Sequence, residues 1–297
     1  MKLFFDMDFS RLNPTAVALG MFDGVHLGHQ AVISSAFLEE RLEPSVFTFT
    51  THTLKPEKKL HSLTLYIEKA KEKIIEKMGV ENYVSPDFIT FKDKTAAEFF
   101  KEILVEKMNA RIICCGVDFQ MGSDCAEVDK IQKLADGYGI ELKLHPPVVA
   151  AGEIVSSTRI RESILTGDIE NANRLLGRPF SYDFPVLKGN KIGRIIGYRT
   201  LNQEFPEWMI VPKFGVYKSV VIIEGKSYHG LTNIGVKPTV GSSYPISETY
   251  VIDWNGTEVY GEMIEVNLIS YLRGERKFDS IELLRNQIKE DIKRVMV

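Results

Sequence analysis

Along the first half of the chain, short apolar runs alternate with longer amphipathic stretches. Thr15-Ala-Val-Ala-Leu-Gly20 predicts a strand, followed by a helical stretch from about His26 to Leu42. Ser45-Val-Phe-Thr-Phe49 predicts a second strand. Between Thr64 and Met78, apolar side chains at Leu65, Ile67, Ala70, Ile74, Ile75 and Met78 recur near a 3.6-residue period. The Lys and Glu residues between them mark a solvated helix face. A helix over 95–108, a strand over 112–115 and a helix over 127–138 continue the rhythm. Such a β-α-β-α succession predicts a parallel sheet covered by helices.

After Ser156 come two short helical stretches, broken at Gly167-Asp168 and ended by Gly177-Arg-Pro179. From Pro185 the period changes to that of strands. Val216–Ile223, Ser227–Thr232, Thr249–Asp253 and Met263–Leu268 are β-branched or aromatic runs separated by turn residues, among them the hairpin marker Asn255-Gly256. An amphipathic stretch from Ser280 to Met296 closes the chain. The pattern predicts an α/β domain over 1–182 and a small antiparallel β-barrel with a terminal helix over 183–297.

A length of 297 residues suits two such domains. The net charge is −3, divided as −4 before residue 180 and +1 after it, so neither part carries the basic field that a nucleic-acid backbone requires. The three cysteines, Cys114, Cys115 and Cys125, form no disulfide framework and no zinc pattern; the first two sit in a buried-strand run as small core side chains. The N-terminus is interrupted by Asp6 and Asp8, and no apolar run reaches the roughly 18 residues of a membrane span. A cytoplasmic setting is the expectation, with no membrane or nucleic-acid partner; oligomeric state is left open.

Chemistry concentrates at strand ends. Gly20-Met-Phe-Asp-Gly-Val-His-Leu-Gly-His29 follows a strand and opens a helix. Gly20, Gly24 and Gly28 allow close backbone approach, and free N–H groups at the helix start favour anions. His26 and His29 share a face of the first turn and suit a nucleotide polyphosphate; a metal pair or two surface histidines are the alternatives. Neither GxGxxG nor the GxxxxGK[ST] loop is present. In Val155-Ser-Ser-Thr-Arg-Ile-Arg161, Ser157 or Thr158 caps a helix, and Arg161 either holds phosphate oxygens or serves the helix alone. Asp118, after a third strand, accepts from an adenine or ribose or stabilises its turn. Gly189, Gly193 and Gly197, with Lys191 and Arg194, form either a flap over phosphates or plain barrel corners. Glu248 by itself reads as a solvated strand-end carboxylate, and Arg273 as part of a surface charge face.

Taken together, these motifs resemble the bacterial bifunctional riboflavin kinase/FAD synthetase family. The family's GxFDGVHxGHQ pattern is met by Gly20 through Gln30, its SSTxxR pattern by Ser156, Ser157, Thr158 and Arg161, and its interdomain segment by Gly167 to Pro179. The resemblance runs nearly end to end. It implies a Rossmann-like HxGH nucleotidyltransferase domain and a riboflavin kinase-like barrel, with Mg²⁺ and with ATP, riboflavin and FMN as substrates. His26 and His29 would stabilise the transferring phosphate, with the catalytic Arg161 and the Ser157 and Thr158 hydroxyls on the far phosphates, and Gly20, Phe22, Asp23, Gly24 and Asp118 also on ATP. Glycines 189 and 193, Lys191 and Arg194 would cover the kinase phosphates. Thr200 and Asn202 would hold Mg²⁺ and ATP, and Glu248 would take the riboflavin 5′-hydroxyl proton. His52, Phe119, Met121 and Arg273 would contact the flavin.

Three departures stand out. The family's Pro-His-Pro reads Thr51-His52-Thr53, and the second aromatic of its DFxFG-like segment is Met121. In its PTAN motif, proline and alanine become Arg199 and Leu201. A flexible cation beside the metal ligands either crowds the phosphates or turns to solvent. Two alternatives follow: an adenylyltransferase with a silent kinase domain, or a flavin-binding sensor.

Overall fold

The computed structural model describes residues 1–50, 63–150, 152–188, 197–239, 242–255 and 258–296. The chain forms two compact units, one of Met1–Lys59 and Glu68–Ser157, the other of Leu60–Ile67 and Thr158–Val297.

The first unit is built on strands β1 (Lys2–Phe4), β2 (Thr15–Leu19), β3 (Glu43–Phe47), β4 (Asn82–Val84), β5 (Ala110–Gly116) and β6 (Glu141–His145). All pair in parallel, in the order β1-β4-β3-β2-β5-β6. Alternation along each strand divides the core between two faces. Ala16, Ala18, Val46, Ile112 and Cys114 pack with Val32, Ile33 and Ile75, from helices α1 (Leu27–Ser34) and α2 (Glu68–Lys77). Val17, Leu19, Phe47, Ile113 and Cys115 pack on the other face with Phe99, Phe100, Ile131 and Ala135. Those belong to α3 (Ala96–Phe99), its π-type continuation Phe100–Lys107, and α4 (Val128–Tyr138). A short hairpin, β7 (Val149–Ala150) and β8 (Glu153–Ile154), precedes Ser157.

Two helix boundaries differ from the sequence pattern. The first helix and its 3₁₀ extension stop at Phe37, where Leu38 is exposed and the charged run Glu39-Glu40-Arg41 follows. The helix expected from Thr64 begins at Glu68, because Leu65 and Tyr66 are buried in the second unit. There the Thr64 N–H donates to the Trp208 carbonyl, and the Ile210 N–H to the Thr64 carbonyl. Tyr66 packs on Phe180 and under the Arg178 guanidinium.

The second unit starts with α5 (Ser157–Thr166, from its second residue) and α6 (Ile169–Leu176). A six-stranded antiparallel sheet follows: β9 (Phe180–Pro185), β10 (Thr200–Glu204), β11 (Gly215–Ile223), β12 (Lys226–Thr239), β13 (Ser242–Val251) and β14 (Met263–Arg273), in the order β10-β13-β12-β11-β14-β9. Its two edges meet, since the Leu187 N–H donates to the Asn202 carbonyl at 2.7 Å and Gln203 Nε2 donates to the Phe184 carbonyl at 2.6 Å. The curl encloses Phe180, Tyr182, Phe205, Tyr217 and Val266. Helix α7 (Ile281–Met296) covers the other face, where Val295 packs with Val216, Leu231 and Ile252.

Candidate active sites

The order of the parallel sheet fixes where a ligand can enter. From β2 the chain proceeds outward through β3 and β4, then returns to pair β5 on the other side of β2. The loops after β2 and β5 therefore diverge, opening a crevice at the strand C-termini. One carries Gly20 to His29 and the other Asp118.

The β2–α1 loop is strained. Phe22, Gly24 and Val25 have φ of +50°, +85° and +39°, so two buried non-glycine residues occupy the left-handed region. Gly20 lies under the Phe22 ring, where an added Cβ would stand 2.9 Å from the ring edge. The Gln30 side chain donates to the Val25 carbonyl at 2.8 Å, and Thr48 Oγ1 to the Met21 carbonyl at 2.9 Å. These bonds hold the loop from both sides.

His26 is the N-cap of α1, and its Nδ1 accepts the His29 backbone N–H at 3.2 Å. An accepting Nδ1 bears no proton, so Nε2 is the donor of this imidazole. The His29 ring stacks on it with centroids 3.6 Å apart, and Phe22 meets His29 edge-on at 5.4 Å. Gly28 fits the same arrangement closely, since a Cβ there would lie 3.2 Å from the His26 ring and press on it. Donor-bearing imidazoles and a helix N-terminus at a crevice suit developing phosphate charge.

The other expected residues distribute unevenly. Ser157 Oγ donates to the Asp23 carbonyl at 2.9 Å, tying the start of α5 to the loop. Thr158 is half-buried in the first turn of α5. Arg161 is buried within the second unit, and its Nε donates to the Leu63 carbonyl at 2.8 Å. Asp118 is exposed, with its carboxylate leaning over Gly116. Met121 is 3% exposed and packs into the core beside the turn that pairs it with Ala126. Phe119 beside it is half-buried. His52, Gly189, Lys191, Gly193 and Arg194 lie outside the described residues.

In the second unit, register brings polar residues into one row. Asn202 on β10 and Asn233 on β12 both pair with Glu248 on β13. Asn202 Nδ2 donates to the Thr200 carbonyl at 3.2 Å, which leaves Oδ1 as an acceptor for a cation. Arg199 is exposed, while Leu201 is buried on the opposite face of the strand from Thr200 and Asn202. Arg273 ends β14. Its Nε and Nη2 both bond the carboxylate of Asp291, which has no exposure, at 3.0 and 2.7 Å. A guanidinium committed in this way ties β14 to α7.

Sequence reasoning missed Thr48 and the groups behind it. Lys71 is buried, with its ammonium 3.2 Å from Thr48 Oγ1 and 3.0 Å from the Glu68 carboxylate. Nothing in the charge run of that helix separates Lys71 from its solvated neighbours.

The family models for FAD synthetase and riboflavin kinase match residues 8–159 and 176–297, respectively. A bifunctional riboflavin kinase/FMN adenylyltransferase of Listeria monocytogenes is 32% identical over 282 residues, covering 93% of this chain and 89% of its own. The chain belongs to the bifunctional riboflavin kinase/FMN adenylyltransferase family. The Bacillus subtilis member is 34% identical, over 93% of this chain and 90% of its own. A crystal structure from Streptococcus pneumoniae, described as a macrolide-efflux protein, superposes with a TM-score of 0.87 at 31% identity, covering 99% of this chain and 98% of that one. Among the described residues of this chain, no helix is long and apolar enough to cross a membrane.

Proposed function

We propose that the chain phosphorylates riboflavin to FMN in its antiparallel unit and transfers AMP from ATP to FMN, giving FAD and pyrophosphate, through its Rossmann-like HxGH unit. The adenylyl-transfer role is assigned to residues 1–182 and the kinase role to 183–297, in a cytoplasmic setting. The observation that carries the reading is His26 at the N-cap of α1, with its tautomer set by the His29 N–H and the His29 ring stacked against it.

In adenylyl transfer an FMN phosphate oxygen attacks the α-phosphorus of ATP, and the bond to the departing pyrophosphate breaks. The attacking phosphate is already ionised, so no protein base is needed. His26 Nε2–H, His29 and the positive dipole end of α1 stabilise the charge that develops. Gly20, Phe22, Asp23 and Gly24 shape the approach, with Asp118, Ser157, Thr158 and Arg161 as further ATP contacts, and His52 and Phe119 on the flavin.

In the kinase, the riboflavin 5′-oxygen attacks the γ-phosphorus, ADP leaves, and the hydroxyl proton passes to Glu248. Thr200 and Asn202 offer hard oxygen ligands suited to Mg²⁺, which would neutralise phosphate charge there. The exposure of Arg199 keeps its charge in solvent, and the burial of Leu201 away from Asn202 leaves the ligand pair intact. Both support an active kinase.

Chromatography of products from ATP and Mg²⁺ with either riboflavin or FMN tests the reading. FMN from riboflavin and FAD from FMN are expected. FAD formation without riboflavin phosphorylation would reduce the function to adenylyl transfer, and flavin binding without any product would make the protein a sensor.

A further inference from the structure

Glu248 sits in the middle of a three-strand ladder, opposite Asn202 on one side and Asn233 on the other. Directly opposed residues of an antiparallel pair have Cβ atoms about 5 Å apart on one face of the sheet. That face is the one beneath α7: Leu231, two residues before Asn233, and Val216, its partner on β11, pack on Val295. The next residues along, Thr232 and Thr249, point the other way and are fully buried, their hydroxyls bonded at 2.9 Å. Glu248 and Asn233 are both half-buried. The two carboxamides beside Glu248 are not equivalent, because Asn202 turns its Nδ2 to its own strand at the Thr200 carbonyl.

A carboxylate that takes a proton during phosphoryl transfer works best with one oxygen held and the other aimed at the hydroxyl. We infer that Asn233 is a positioning residue of the kinase site, its carboxamide holding Glu248 across the β12–β13 ladder so that the carboxylate faces the riboflavin 5′-hydroxyl. This rests on Glu248 being the group that accepts that proton. Asn233 touches neither substrate in this scheme and acts only through Glu248.

Steady-state riboflavin phosphorylation by the full chain tests it. Asn233→Ala should lower kcat about tenfold while both KM values stay within about twofold, the signature of an interaction made in the transition state. Asn233→Ser, which keeps a donor on a shorter side chain, should recover part of the rate. In a Glu248→Gln background, Asn233→Ala should cause no further loss, because groups that act as a unit are non-additive. Tryptophan fluorescence melting would identify a variant that fails to fold, in which case Asn233→Ser carries the comparison.

An unchanged kcat in a folded Asn233 variant, or losses that multiply with Glu248→Gln, would overturn this inference alone. Full turnover by Glu248→Gln, or a wild-type chain without kinase activity, would overturn the reading beneath it and this inference with it.

Discussion

His26 serves two purposes through its two ring nitrogens, and they can be separated. Nδ1 caps α1 by accepting the His29 N–H, which places the ring proton on Nε2. His26→Ala removes both and should cost about 1 kcal/mol of stability besides activity. His26→Asn retains a capping oxygen, so its melting temperature should stay near wild type while FAD formation still falls by about 10². Parallel melts and FAD assays check this, and His29→Ala should show a similar loss of FAD formation with riboflavin phosphorylation unchanged. Thr48 acts one step further back. Its hydroxyl donates to Met21 and lies against the buried Lys71 ammonium, which is balanced by Glu68. Glu68 also accepts from Ser85 and Tyr83, and burial together with the Glu68 charge pushes the Tyr83 phenol far up. Thr48→Val leaves a carbonyl and a buried ammonium each short of a partner, at a cost of about 1–3 kcal/mol. Chemical denaturation should detect that loss, accompanied by slower FAD formation as the Phe22–Val25 loop relaxes.

Helix α7 is joined to the sheet by apolar contact and by the Arg273–Asp291 ion pair. Asp291 is fully buried and also accepts from Gln287 at 2.9 Å. Asp291→Ala strands the Arg273 guanidinium and should destabilise the second unit by about 3–5 kcal/mol, whereas replacing both partners with apolar residues should restore much of that. Denaturation of the single and double variants measures the difference. This tie also shows where sequence reading stops. Arg273 reads in the sequence as part of a surface charge face, and its partner lies 18 residues away on a helix whose Asp291 looks like any surface carboxylate. Element by element, what was legible followed apolar spacing: β2, β5, α4 and β11 lie close to their expected places, whereas β12 runs past its expected end at Thr232 and β13 starts well before its expected start at Thr249. Of the missed strands, β1, β4, β6 and β10 are short or polar, whereas β9 alternates the buried Phe180, Tyr182 and Phe184 with Ser181 and Asp183 and does carry a period-2 signal. Asn82 begins β4 fully buried, paired with Glu43 and Ser45 side chains on the adjacent strand. A period-2 apolar pattern cannot register a residue of that kind. The β2–α1 site was legible because glycines and histidines there answer to local geometry. Thr48 and Lys71 were not, since only tertiary packing singles them out.

Each compact unit carries its own spectroscopic or chemical reporter. The two tryptophans, Trp208 and Trp254, both fall in the second unit, whereas Cys114 and Cys115 lie on β5 of the first. Burial pushes the thiols of Cys114 and Cys115 up to about 11 and about 12, against 9.0 for a free thiol, while Cys125 is exposed. A thiolate-selective reagent at pH 8 should therefore label Cys125 in the native protein, and Cys114 and Cys115 only after the first unit unfolds. The sign of the pH dependence follows from the same shifts. The unfolded chain releases these protons near pH 9 and the folded chain only near pH 11 to 12, so the stability they contribute is complete below pH 9 and declines above it. Replacing both cysteines with alanine should flatten that alkaline decline. Ligands supply the complementary test. Riboflavin with ADP and Mg²⁺, bound in the second unit, should raise the denaturant midpoint of tryptophan fluorescence by mass action. If the two cores unfold as separate cooperative systems, labelling of Cys114 and Cys115 keeps its own midpoint under those conditions. Coincident shifts of both reporters would instead make the chain a single cooperative unit.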